Sequence, residues 1–160
     1  NIPPYIKTKK KGGKKMVALR YYNIFISHAW KYGDDYDRLT NLLNNADNFN
    51  YKNYSAPSEK PLLNLNSTDV STQSQIKEAI DRKIQNVNIV IVIAGMYANN
   101  SNWMDYEIQS AQKYHKPIIA IKPYGNQKTP IYLQLISKET VNWNTQSIVS
   151  SIKRFAKFNL

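Results

Sequence analysis

Two apolar runs frame the middle of the chain. The first, Ile89-Val90-Ile91-Val92-Ile93, is five consecutive β-branched residues closed by Ala94-Gly95. A run of that kind reads as a strand buried on both faces. The second is Pro117-Ile118-Ile119-Ala120-Ile121. Between them the spacing changes to a helical period. Met104, Ile108, Ala111 and His115 fall on one stripe, and Trp103, Glu107 and Ser110 on the stripe beside it. Asn102 reads as the N-cap and Asp105 as an acid in the first turn. Strand, helix and strand of these lengths predict a right-handed βαβ unit in a parallel sheet. Glu107 then sits one turn inside the helix, near the carboxyl end of the preceding strand, where open α/β sheets place their ligands.

The flanking chain extends the same alternation. Tyr21–Ser27 predicts a first strand with Ile24 and Ile26 on one face, followed by a loop over residues 28–33. A helix over 34–47 presents Tyr36, Leu39, Leu42, Leu43 and Ala46, and residues 48–55 predict a short strand at or near the sheet edge. Residues 56–69 contain two prolines and no periodicity, which predicts a long exposed loop. A helix over 71–85 follows, with Ile76, Ile80 and Ile84 inward. After the central unit come a polar turn at 124–129, a short helix at 131–137 and a fifth strand at 140–143. A last helix over 145–158 turns Ile148, Ile152 and Phe155 inward. The expected fold is a flavodoxin-like α/β three-layer sandwich. Its five-stranded parallel sheet has the order 2-1-3-4-5. One domain over residues 21–160 follows a basic, flexible extension over 1–20.

Composition changes that picture little. The net charge of +11 is mostly local, because seven basic residues and no acid fall within residues 1–20 and leave about +4 on the rest. A nucleic-acid role would rest on that extension alone. The chain has no cysteine, and His28 and His115 are its two histidines, so no metal cluster is expected. No apolar run approaches the ~20 residues that span a bilayer, and residues 1–20 lack the apolar segment of a secretory signal. The expected setting is cytoplasmic, without a membrane.

The candidate chemistry gathers at predicted strand ends. The first strand delivers Ser27, His28 and Trp30, the second Tyr54 and Ser55, and the third Tyr97, Ser101, Trp103 and Glu107. Hydroxyls and rings dominate this set, which suits a neutral or cationic ligand carrying an aromatic ring. Each residue also has a plainer role. His28 can satisfy a backbone carbonyl, Ser55 can sit in a turn, Trp103 can wedge a helix onto the sheet, and Tyr54 and Tyr97 can pack with a polar tip outward. A phosphoacceptor receiver domain would need an Asp where Ala94-Gly95 stands, despite the suitable Lys122-Pro123 pair. A phosphate-cradling loop would need clustered glycines after the first strand, where Gly33 is alone.

Four short motifs in order resemble the TIR domain superfamily. They are FISHAW at residues 25–30, YSAP at 54–57, GMY at 95–97 and SNWMDYEI at 101–108. They are most similar to the bacterial TIR-like branch that includes the ThsB proteins of Thoeris anti-phage defence. The resemblance covers residues 21–158. It implies that Glu107, which follows Ser101 and Trp103 at the family spacing, is the catalytic acid. It implies Ser27, His28, Trp30, Tyr54, Ser55, Tyr97, Ser101 and Trp103 as substrate contacts. The implied reaction breaks the nicotinamide–ribose bond of NAD+, which is substrate and not cofactor. The ADP-ribosyl group then passes to water or closes into a cyclic nucleotide that signals to a separate effector. Loop 56–69 departs from the glycine-rich loop through which many TIR domains self-assemble. Two other readings stay open: a non-catalytic TIR-type interaction module, and an enzyme like nucleoside deoxyribosyltransferases.

Overall fold

In the computed structural model, the described residues are 5–10, 13–18, 20–29, 34–55, 69–98 and 101–158. The loop expected over 56–69 lies outside them except for Asp69. With β-branched runs in its central members, the core sheet has five strands. These are β3 (Tyr21–Ser27), β4 (Asn50–Asn53), β5 (Ile89–Ile93), β6 (Ile118–Ile121) and β7 (Glu139–Val141). They form one parallel sheet in the order β4-β3-β5-β6-β7, the expected 2-1-3-4-5 arrangement.

Register brings the apolar runs side by side. Ile24 pairs with Ile89, Ile26 with Ile91, Ile91 with Ile119, and Ile121 with Val141. Every residue of β5 and β6 is buried, as expected of strands covered by helices on both faces. The helices are α1 (Asp35–Asn44), α2 (Val70–Gln85), α3 (Ala94–Tyr97), α4 (Ser101–Lys113), α5 (Ile131–Ile136) and α6 (Thr145–Phe155). α1 packs against α6 and α2 against α4, giving the two outer layers. Leu39 and Leu43 of α1, Ile76 and Ile84 of α2, and Ile148 and Ile152 of α6 carry the expected stripes into the core; Ile80 and Phe155 are half-buried. Asp69 caps α2 by accepting from Ser71 N at 3.1 Å, and Asn144 caps α6 by accepting from Ser147 N at 2.8 Å.

Several expectations need correction. Residues 1–20 were expected to be flexible, yet β1 (Tyr5–Lys10) and β2 (Gly13–Ala18) form a separate antiparallel pair. Ala94-Gly95 does not end a strand in a loop but opens α3. Asn102 lies within α4, one residue past its start, and Asp105 falls in the second turn. Glu107 is therefore nearly two turns in. His115 keeps the helical spacing but not the core position. It is exposed at φ +55°, just beyond α4. His115 N donates to Gln112 O at 3.1 Å and Lys116 N to Ala111 O at 2.8 Å, the bond pair of a Schellman C-cap.

Candidate active site

The rotation of α4 decides what its second stripe can do. Met104, Ile108 and Ala111 are buried against the sheet, and that contact carries Glu107 and Ser110 inward beside them. Glu107 is only 6% exposed, and its Oε2 has no hydrogen-bond partner among the described residues. Ser27 ends β3 with its side chain on the pleat opposite Ile24 and Ile26, within reach of Glu107. Its Oγ is likewise buried without a bond of ordinary geometry. Burial pushes the Glu107 carboxyl up to about 8, while Ser27 and the Lys83 ammonium pull it down. Desolvation wins because neither group neutralises the charge directly. At neutral pH most Glu107 therefore holds a proton. A cation arriving beside it would favour the carboxylate.

Across the end of β3, a second group is fully committed. His28 Nδ1 lies 2.8 Å from Ile26 O. A carbonyl can only accept, so Nδ1 carries the proton and Nε2 presents a lone pair. Burial lowers the His28 pKa, with the Ile26 bond and Asp37 opposing, which keeps the ring neutral. The imidazole stacks on Tyr36 at 4.0 Å between centroids. Tyr36 OH accepts from Asn53 Nδ2 at 2.7 Å, and Asn53 Oδ1 accepts from Ser55 Oγ at 2.6 Å and Ser55 N at 3.0 Å. His28 and Ser55 thus sit in one network joining β3, α1 and β4. Both make the structural bonds that their residue types allow. Tyr54 is half-buried with Lys52 Nζ 5.1 Å from its ring centroid.

The third strand end is built by α3 and α4. Tyr97 OH donates to Asp105 Oδ1 at 2.6 Å. Desolvation and that bond push the Tyr97 phenol up to about 12. Its hydroxyl is therefore occupied, and what it offers a ligand is a half-buried ring. Trp103 is half-buried and meets Tyr106 edge-on, with centroids 6.4 Å apart. Behind them, Asp81 of α2 accepts from Tyr106 OH at 3.0 Å and from Ser110 Oγ at 2.6 Å. Trp30 and the side chain of Ser101 lie outside what the structure describes.

Glu107 with Ser27, and His28 with Ser55 through Tyr36 and Asn53, are therefore brought together at the carboxyl end of β3. Sequence reasoning missed Tyr36, Asn53, Asp105 and Asp81. Tyr36 was read only as an apolar face, and Asp81 falls among polar positions of α2 with no periodic signal. Among the described residues no group of three His, Asp or Glu side chains could hold a metal ion, and no helix is long and apolar enough to cross a membrane.

A family model described as "Thoeris protein ThsB, TIR-like domain" matches residues 25–128. The match begins inside β3 and takes in Ser27, His28, Tyr54, Ser55, Tyr97, Trp103 and Glu107. No curated protein matches the chain. Among solved structures, the CMP N-glycosidase BcmB of Clostridium botulinum is similar to it, with 14% identity and a TM-score of 0.47. That alignment covers 82% of this chain and 98% of the glycosidase.

Proposed function

The chain belongs to the TIR-like domain family of the Thoeris protein ThsB, and we propose that it cleaves the nicotinamide–ribose bond of NAD+ to make an ADP-ribose-derived signal in anti-phage defence. The observation that carries this reading is Glu107: a carboxyl enclosed at the carboxyl end of β3, with one oxygen unpartnered and a serine hydroxyl beside it.

The chemistry suits one acid. Glycosidases generally need two carboxyl groups, one to protonate the leaving group. In NAD+ the nicotinamide nitrogen is already cationic. When the C1′–N bond breaks, its electron pair goes to the ring, which leaves as neutral nicotinamide without a proton. The ribose becomes oxocarbenium-like, and a carboxylate held against it stabilises that charge. Glu107 would give up its proton as the cationic ring enters. In this reading the half-buried rings of Trp103 and Tyr97 stack on an aromatic base. Capture by water, with loss of one proton, gives ADP-ribose. Capture by a nucleophilic atom of the same molecule, again with loss of one proton, gives a cyclic product, and apolar walls favour this by excluding water. The product then diffuses to a separate effector. We place this reaction in the cytoplasm.

The test is nicotinamide release from NAD+ by the wild-type chain and by Glu107→Gln, with mass analysis of the nucleotide. Release by the wild type alone supports the reading, and the product mass separates cyclisation from hydrolysis. A second reading, a TIR-type interaction module, is favoured by Ile131 and Leu135, which project from α5 at 74% and 78% exposure. It predicts a complex that survives Glu107→Gln and is lost on Ile131→Ser with Leu135→Ser.

A further inference from the structure

The α2–α4 contact contains a polar clamp that the reaction itself does not use. Asp81 lies on α2, and its two carboxylate oxygens take different donors from α4: Tyr106 OH on Oδ2 at 3.0 Å and Ser110 Oγ on Oδ1 at 2.6 Å. Tyr106 and Ser110 are four residues apart, one helical turn, and Glu107 lies between them. Both donors are dependable. Burial and the Asp81 bond push the Tyr106 phenol up to about 12, so it keeps its proton at any working pH. Ser110 is buried, and its hydroxyl bond to Asp81 is short.

Two bonds one turn apart resist rotation of α4 about its axis more than a single bond would. The apolar stripe of Met104, Ile108 and Ala111 fixes how deeply α4 sits on the sheet. It also turns this face of α4 toward the sheet, and the two directional bonds to Asp81 refine the rotation within that packing. A rotation would swing Glu107 away from Ser27 and out of its buried position. We propose that Asp81 is a positioning residue, holding α4 at the rotation that points Glu107 at Ser27. The consequence for catalysis rests on the NAD+ reading above; the positioning does not.

Among the described residues the groups that act on the Glu107 carboxyl are Ser27 from β3 and Lys83 from α2, so its titration reports their placement. The experiment is a carbon-13 NMR titration of the Glu107 carboxyl in the full chain, for wild type, Asp81→Ala and Ser110→Ala. Nicotinamide release is followed in parallel. The expected result is a Glu107 midpoint that falls from about 8 toward the ordinary carboxylate range in Asp81→Ala. Ser110→Ala, which loses one bond and keeps the fold, should move it less. With that shift, kcat should fall about tenfold or more while KM stays nearly constant, as expected when a reacting group is misplaced. An unchanged midpoint in both variants would overturn the positioning role, even if they melt earlier. A shifted midpoint without nicotinamide release from any form would leave the positioning standing and remove the NAD+ reading. Release that needs Glu107 but ignores Asp81 and Ser110 would do the reverse.

Discussion

Ser27 and Glu107 face one another at the carboxyl end of β3, where hydrogen bonding from Ser27 favours the Glu107 carboxylate, yet neither Ser27 Oγ nor Glu107 Oε2 makes a bond of ordinary geometry among the described residues. Buried polar atoms are nearly always bonded. Two orphans in one place mark a site kept for something else. Satisfying the pair internally would stabilise the fold and occupy the acid.

The enclosed acid makes stability depend on pH. Its folded pKa of about 8 lies above the unfolded value of 4.5. Below the unfolded value both states hold the proton and there is no penalty. As pH rises toward 8 the unfolded chain loses its proton first, so stability falls, and the loss levels off above that point. Glu107→Gln removes this term. The variant should gain on wild type between pH 5 and pH 8, by up to ~4 kcal/mol. Denaturant melts of both proteins across that range check it; parallel curves would contradict it.

Ser27→Ala should separate function from stability. The hydroxyl has no bond of ordinary geometry to lose, so the melt should move by less than about 1 kcal/mol. Ser27 pulls the Glu107 pKa down, so its loss should raise the pH at which nicotinamide release reaches half its maximum. A pH–rate profile of the variant measures the shift.

The strands were legible because burial writes a period. Ile89–Ile93 and Ile118–Ile121 are apolar throughout, and only a strand covered on both sides requires that. Glu107 fell beside the stripe of Met104, Ile108 and Ala111, but on spacing alone it reads as a solvated helix acid, and its burial comes from the packing of α4 on the sheet. What stayed hidden depends on pairs far apart in the chain. Asp81 looks like any polar residue of a surface helix until Tyr106 and Ser110 arrive from α4. Asn53 looks like an edge-strand residue until it joins Tyr36 to Ser55. His115 misled for a different reason. Its spacing continued the stripe, but the backbone leaves the helix there through a positive φ.

Tyr97 should matter more to the fold than to hydrogen bonding of a ligand. Tyr97→Phe loses the 2.6 Å bond to Asp105 and keeps the ring. The expected cost is about 1 kcal/mol, with nicotinamide release within a few-fold of wild type. Chemical denaturation and initial rates on the same preparation check both. A large loss of rate with unchanged stability would assign the hydroxyl to the substrate.

The most direct test of the account is kcat/KM for nicotinamide release from NAD+ as a function of pH. In the proposed reaction the carboxylate of Glu107 is the reactive form, and burial pushes its pKa up to about 8. The rate constant should therefore climb through an ionisation close to 8 that is absent from Glu107→Gln, since kcat/KM reports groups of the free enzyme. A profile flat from pH 6 to 9, or no release at any pH, would contradict it.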